Sequence, residues 1–145
     1  MSCELCARAG GRVLWRDAKC RVVLVDDPDY PGFCRVLWND HVREMTDLTA
    51  VERRHCMRIV FAVERALRSV LAPRKINLAS FGNQVPHLHW HVIPRFADDP
   101  HFPNAIWGKR LRNGNAQTIA RIAPRLRAAL ARGLRKPRRE IPSGR

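Results

Sequence analysis

Residues 82–95 read Gly-Asn-Gln-Val-Pro-His-Leu-His-Trp-His-Val-Ile-Pro-Arg, and this stretch decides the fold prediction. Its histidines, His87, His89 and His91, are spaced two residues apart. In an extended strand this spacing directs all three rings to one face, with neighbours about 6.6 to 7 Å apart. The other face then carries Leu88, Trp90 and Val92. The stretch therefore predicts a strand over residues 87–93 with one polar and one apolar face.

The spacing of the histidines leaves three interpretations open. A neutral imidazole is a nucleophile near pH 7, so the strand could carry a covalent catalyst. Three imidazoles could instead converge on one metal ion at about 2.0–2.1 Å. The third interpretation is that the rings are simply hydrogen-bonded on a half-buried strand.

The segments on either side of this strand predict an α+β domain. Thr49 and Glu52 form a capping-box pattern, apolar residues recur at helical spacing, and Pro73 follows, so we expect one long helix over 49–71. Alternating apolar residues and turn signals predict strands at 13–16, 20–25, 34–38, 75–80 and 87–93. This order predicts a mainly antiparallel sheet beside the long helix.

Composition fits one compact domain with a basic C-terminal extension. The chain has 145 residues, 46% of them apolar and 28% charged, which excludes a fibre and a wholly disordered chain. The formal net charge is +14, but residues 1–108 contain 15 basic and 12 acidic side chains, whereas residues 109–145 contain 12 basic and one acidic. The charge therefore makes the extension, and not the domain, the candidate for contact with nucleic acid.

We divide the chain into a domain at 1–108 and an extension at 109–145. Residues 116–134 have helical periodicity, and Pro124 either kinks this helix or lies in the first turn of a separate one. Residues 135–145 are predicted to be disordered, because they combine high charge with two prolines and no periodicity.

Several features predict a cytoplasmic location. No apolar run approaches the roughly 18 residues of a membrane span, and residues 1–6 lack the apolar stretch of a secretory signal. The five cysteines are irregularly spaced, which argues against a disulfide framework and for a reducing compartment.

Residues 82–95 resemble the active-site strand of the histidine triad (HIT) family of nucleotide hydrolases and transferases. The similarity extends over about residues 3–108 and includes the Pro31-Gly32 turn and Asp40-His41 after the third strand. This resemblance implies a homodimeric α+β fold and a histidine that attacks the α-phosphate of a bound nucleotide.

The resemblance also implies catalytic roles for the three histidines. His89 matches the nucleophile of the family, and His91 matches the histidine that hydrogen-bonds to the phosphate and leaving group. His87 matches the one that helps to orient the rings.

Four further positions match residues that bind the substrate. Asp26 corresponds to a residue that holds the ribose hydroxyls, against the alternative of an ordinary turn aspartate. Asn77 corresponds to an asparagine near the phosphate, against an ordinary strand residue. Asn83 and Gln84 replace the Gln and Ser or Thr of many members, so the resemblance does not define the leaving group.

Cys3 and Cys6 form a Cys-x-x-Cys pair, which taken alone is a weak zinc signal. In some histidine triad proteins such a pair binds zinc together with two histidines, which here match His41 and His87. The resemblance therefore implies a closed, structural zinc site. Unligated thiols and a redox pair are the alternatives.

We expect a hydrolase or transferase acting on a nucleoside phosphoramidate or a dinucleoside polyphosphate. One alternative is action on adenylated nucleic-acid ends with the help of the basic extension. Another is a non-catalytic nucleotide- or RNA-binding module. Trp107 is a candidate for contact with the substrate or the dimer partner, against simple packing.

Overall fold

The computed structural model describes residues 2–114 and 121–135. Its strands are β1 (Arg12–Arg16), β2 (Cys20–Leu24), β3 (Cys34–Trp38), β4 (Lys75–Ala79) and β5 (His89–Arg95), and they form one antiparallel sheet in the order β1-β2-β3-β5-β4. The helices are α1 (Glu4–Ala7), α2 (Ala50–Leu71) and α3 (Ile122–Gly133), with a 3₁₀ turn at Met45–Asp47. The predicted α+β class is confirmed.

Helix α2 forms where the local signals place it. The Thr49 hydroxyl accepts a hydrogen bond from the Glu52 backbone N–H, and the Glu52 carboxylate accepts one from the Thr49 backbone N–H. Such a cap stabilises a helix by about 1 kcal/mol. The helix ends at Leu71 and is followed by Ala72, which has a left-handed φ of 47° and precedes Pro73. Among the described residues, no helix combines the length and apolar character needed to cross a bilayer.

The sheet has one covered face and one partly open face. Helix α2 lies on the covered face, where its apolar side chains pack against alternate residues of the central strands, namely Val22, Leu24, Cys34, Val36 and Val92. Side chains alternate along a strand, so the intervening residues point to the other face. That face carries Arg35 of β3 together with His89 and His91 of β5, and α1 covers one end of it through Leu5.

Helix α3 belongs to the same core as α2. Pro124 is its third residue, in the first turn, where the missing N–H costs no internal hydrogen bond. The alternative of a kinked helix over 116–134 involves residues 116–120, which lie outside the described residues. Helix α3 buries Ile122, Ala123, Leu126 and Leu130 in the cluster that includes α2. The division of the chain at residue 108 stays a prediction, and the predicted disorder at 135–145 lies, beyond Arg135, outside the described residues.

Strand β5 begins at His89 and ends at Arg95, so the predicted range of 87–93 is wrong at both ends. Pro86 has no N–H to give to a neighbouring strand, and the His87 N–H bonds back to the Val85 carbonyl across a tight turn. His87 consequently lies before the strand. The extended geometry expected for three histidines holds for only two.

Candidate active site

His89 and His91 form a close pair on the open face of the sheet. Their ring centroids are 4.8 Å apart with planes at 84°. The Nδ1 atom of His89 lies 2.6 Å from the backbone carbonyl of His87. A carbonyl oxygen only accepts, so Nδ1 carries the hydrogen and the neutral ring keeps its lone pair on Nε2. The local backbone therefore fixes the tautomer in which Nε2 is the free nucleophilic nitrogen.

Burial keeps both rings uncharged at neutral pH. Desolvation lowers the pKa of His89, although the hydrogen bond to the His87 carbonyl opposes this shift, and the charge of Arg35 adds to it. Desolvation also lowers the pKa of His91 to about 4, with smaller effects from His89 and Arg35. A neutral imidazole has a free lone pair, which is the form that nucleophilic attack requires.

The histidine pair lines an open cavity of about 490 Å³. The other walls come from α1, from β3, from the loop before β5, and from the segment after it, and they include Glu4, Leu5, Arg35, residues 81–85 and Trp107. Gly82 in the loop has a φ of 71°, which side-chain-bearing residues rarely adopt. The volume lies within the range of small-molecule sites, about 300–1,000 Å³.

Two buried polar atoms beside the cavity have no partner within the described residues. In the described part of the chain, two buried side-chain nitrogens have no hydrogen-bond partner, Arg35 Nε and His91 Nδ1. Both belong to residues that line the cavity. Buried polar groups are almost always paired in native proteins, so these two nitrogens show that the wall of the cavity is polar and incompletely hydrogen-bonded by the protein itself.

Two exposed aromatic side chains form a rim at the cavity. Trp107 is 52% exposed and Phe81 is 58% exposed. Their ring centroids are 4.9 Å apart, and Trp107 lies 5.0 Å from the His91 ring. Such a rim offers a flat apolar surface beside the histidines for an aromatic ring of a ligand.

A buried ion pair fixes the segment that carries Trp107. The Arg95 Nε atom lies 2.7 Å from an Asp99 carboxylate oxygen, and the two side chains are 2% and 4% exposed. Arg95 also donates to Asn77 Oδ1 and to the Asn104 carbonyl. Arg95 is therefore a structural residue that anchors the chain after β5.

His87 lies with the two N-terminal cysteines and not in the cavity. Its Nδ1 atom is 3.5 Å from Cys3 Sγ and 3.4 Å from Cys6 Sγ, and Cys6 Sγ is 3.4 Å from His41 Nδ1. The His87 Nε2–H donates to the Trp38 carbonyl at 2.6 Å, which leaves the lone pair on the nitrogen that faces the sulfurs. The four predicted metal residues thus form one cluster, with ligand atoms within 4.8 Å of one another.

The predicted substrate-binding residues are divided between the cavity and its surroundings. Asn83 and Gln84 line the cavity. Asp26 is exposed and is not among the lining residues. Asn77 lies on β4 beside an adjoining depression, where its side-chain oxygen accepts a hydrogen bond from Arg95.

Among the residues that line the cavity, sequence reasoning missed Glu4, Leu5, Arg35, Phe81 and Val85. Arg35 carries a signal that could have been read, since it is the single charged residue within the run Cys-Arg-Val-Leu-Trp at 34–38. Phe81 directly precedes the loop glycine, and its sequence context offers no comparable signal.

Fold and site together define an α+β protein with a paired-histidine cavity next to a thiol–histidine cluster. The sequence model of the HIT domain matches residues 8–98. The chain therefore belongs to the histidine triad family.

Its relatives agree with this assignment. An AP-4-A phosphorylase of Mycobacterium tuberculosis is 30% identical over 107 residues, which cover 70% of this chain and 55% of that protein. The chain thus spans about half the length of the curated relatives it matches.

Solved structures of the family show the same fold. A histidine triad protein from Marinobacter aquaeolei has a TM-score of 0.74 and 26% identity, with 89% of this chain and 94% of that chain covered. A zinc-bound histidine triad family protein from Mycobacterium smegmatis has a TM-score of 0.66 and 25% identity, with 91% and 95% covered.

Proposed function

We propose that the chain is a nucleotide hydrolase or transferase in which His89 attacks the α-phosphate of a bound nucleotide. One observation carries the proposal, the hydrogen bond from His89 Nδ1 to the His87 carbonyl in a residue that lines the cavity. This bond orients the ring and leaves Nε2 available. Family membership supports the same reaction class.

The reaction has two balanced steps. The Nε2 lone pair forms a nitrogen–phosphorus bond while the bond to the leaving group breaks and its electrons depart with that group. His91 hydrogen-bonds to the phosphate and leaving group, and the backbone N–H groups of loop 82–85 donate to the phosphate oxygens. Water or another acceptor then attacks phosphorus, which releases the nucleotide and restores His89.

The leaving group is proposed to be a nucleoside polyphosphate, with an amine as the alternative. The name of the M. tuberculosis relative, AP-4-A phosphorylase, favours a dinucleoside polyphosphate and inorganic phosphate as the acceptor. Asn83 and Gln84 lie at the loop where the leaving group would be held. Asp26 and Asn77 stay predictions as substrate contacts, as do the homodimer and the contact of the basic extension with nucleic acid.

The substitution His89→Ala tests the mechanism. We expect it to abolish turnover of diadenosine tetraphosphate and of adenosine phosphoramidate, assayed with and without inorganic phosphate, while adenosine monophosphate still binds. The wild-type enzyme quenched without acid should carry a nucleotidyl group on the peptide that contains His89. His55→Ala serves as the control, because His55 lies on α2 and bonds to Asp17. Near-wild-type turnover in His89→Ala would refute the mechanism.

We also propose that Cys3, Cys6, His41 and His87 hold a structural zinc ion. A tetrahedral zinc with Zn–S of about 2.3 Å and Zn–N of about 2.0–2.1 Å separates sulfur from nitrogen by about 3.5 Å. Three of the four sulfur–nitrogen distances in the cluster are 3.4–3.5 Å, and all ligand atoms lie within 4.8 Å of one another, so the donor set fits. A closed site of this kind would tie the N-terminus to the residue that orients His89, without taking part in the chemistry.

A further inference from the structure

Three arginines on the partly open face of the sheet, Arg21, Arg35 and Arg95, are buried or half-buried, and two of them are fully hydrogen-bonded. Arg21 donates to backbone carbonyls of residues 5, 8 and 9 and to the side-chain oxygen of Asn39. Arg95 donates to Asp99, to Asn77 and to a backbone carbonyl. The third, Arg35, makes no hydrogen bond and no ion pair within the described residues, and its Nε atom is buried.

Arg35 is also the arginine that lines the histidine cavity. It lies directly opposite His91 in the pairing of β3 with β5, so both side chains point to the same face. The Phe33 ring packs at 5.6 Å from the guanidinium carbon, which helps to hold the side chain in place. The group is thus positioned by the sheet and not by an acidic partner.

An unpaired guanidinium in such a place is unfavourable for the empty protein. Desolvation lowers the pKa of Arg35, and only the more distant charge of Glu4 opposes this shift. Replacing a poorly paired buried charge by an apolar side chain often leaves stability unchanged or raises it. A residue that is costly for folding and faces a cavity indicates a role in ligand binding.

We propose that Arg35 binds a second phosphate of the substrate, in addition to the one that His89 attacks. The proposal rests on the proposed function. The attacked phosphate already has the two histidines and the loop N–H groups, whereas a planar guanidinium suits a further phosphate through two parallel hydrogen bonds. That phosphate belongs either to the leaving group, as in a dinucleoside polyphosphate, or to the ribose, as in a 3′-phosphorylated nucleotide.

Three substrates distinguish a second phosphate in the leaving group from one on the ribose. Adenosine 5′-phosphoramidate has a single phosphate, its 3′-phosphorylated form has a second one on the ribose, and diadenosine tetraphosphate has further phosphates in the leaving group. For Arg35→Met, we expect kcat/KM on the substrate that uses this contact to fall about 10- to 100-fold more than on the single-phosphate substrate. Arg35→Lys should lose less, because it keeps the charge without the planar fork.

Arg58→Met is the matched control, since Arg58 is an exposed arginine on α2. It should leave the ratios between substrates unchanged. The thermal midpoint of Arg35→Met should equal or exceed that of the wild type, which separates a lost contact from a damaged fold. Equal losses on all three substrates, or no loss on any, would overturn the proposal.

A binding measurement separates failure of this proposal from failure of the proposed function. Calorimetry compares adenosine 5′-monophosphate with adenosine 3′,5′-bisphosphate and adenosine triphosphate. If no substrate is turned over but Arg35→Met selectively weakens a ligand with extra phosphates, the catalytic proposal fails and the role of Arg35 stands. If Arg35→Met weakens all three ligands equally, the role of Arg35 is refuted whatever the catalytic result.

Discussion

The substitution Asp99→Asn tests whether the buried ion pair with Arg95 holds the segment that places Trp107 at the cavity. The Asp99 carboxylate accepts five hydrogen bonds, two from Arg95 and three from backbone N–H groups of Phe96, His101 and Phe102. Asparagine keeps the shape but replaces one oxygen by an amide group that donates and cannot accept. In either orientation, the new amide NH₂ group therefore faces N–H donors that the carboxylate oxygen had accepted from.

The expected cost follows from this geometry. Breaking a buried ion pair by removing one charge costs about 3–5 kcal/mol. The remaining amide oxygen keeps part of the network, so we expect the lower end, about 3 kcal/mol. For a domain of this size, each kcal/mol shifts the thermal midpoint by about 2–4 °C, which gives a fall of about 6–12 °C.

The effect should also depend on pH. Burial alone would raise the pKa of Asp99, but the hydrogen bonds from Arg95 and from the His101 and Phe102 N–H groups outweigh it and lower the pKa. A carboxyl with a lowered folded-state pKa stabilises the protein above its unfolded pKa, about 3.9, and loses that contribution as the pH falls through the folded-state value. The difference in unfolding free energy between wild type and Asp99→Asn should therefore shrink below about pH 4.

Urea unfolding followed by circular dichroism at pH 7 and pH 3 measures both quantities. Asp98→Asn is the matched control, because Asp98 is the exposed neighbour of Asp99. A cost below about 1 kcal/mol at pH 7, or an equal cost for the two variants, would refute the reasoning. We also expect Asp99→Asn to raise KM, because the segment that carries Trp107 loses its anchor.

Three further predictions concern the metal, the rim and the C-terminus. Cys6→Ser should lose about one equivalent of zinc, measured by elemental analysis, and should have a lower thermal midpoint. The control variant Cys56→Ser should keep the metal. Full zinc content in both variants would contradict the proposed zinc site. Trp107→Ala should raise KM several-fold with little change in kcat, since the rim offers binding surface and no reacting atom; a fall in kcat alone would contradict this. Deletion of 136–145 should leave turnover of small nucleotides intact. Deletion of 115–145 should lower the unfolding free energy by more than about 5 kcal/mol, because several buried α3 side chains are lost. Equal thermal midpoints for the two deletion variants would contradict the packing of α3.

The sequence predicts the local parts of the fold well. Helix α2 matches its prediction within a residue because its cap, its apolar spacing and Pro73 are all local signals. The order of strands in the sheet and the position of α3 depend on contacts between distant segments, which no local pattern encodes. Helix α3 illustrates this limit, since its periodicity predicts a helix but not that Ile122, Leu126 and Leu130 pack into the same core as α2.

In the candidate site, too, local features could be predicted from the sequence, whereas contacts between distant segments could not. The spacing in residues 82–95 places His89 and His91 together, because neighbouring positions on one strand determine their separation. Arg35 was missed because its place opposite His91 depends on the pairing register of β3 with β5. The turn at His87 depends on bonds of the chain around Pro86, and it moves the side chain of that histidine to the cysteines.

The position of α3 places the arginines of this helix and the histidine cavity on opposite faces of the sheet. The helix lies on the covered face of the sheet, while the cavity opens on the opposite face. Two arginines of α3 form hydrogen bonds that help to hold the helix in place. Arg125 donates to the Val70 carbonyl, and Arg127 donates to the Val13 carbonyl. A nucleic acid bound to the arginines of α3 would have to extend around an edge of the sheet before its end could reach His89. Within the described residues, α3 and the histidine cavity therefore lie on two separate surfaces, and the proposed nucleotide substrate would reach the histidines without contact with α3.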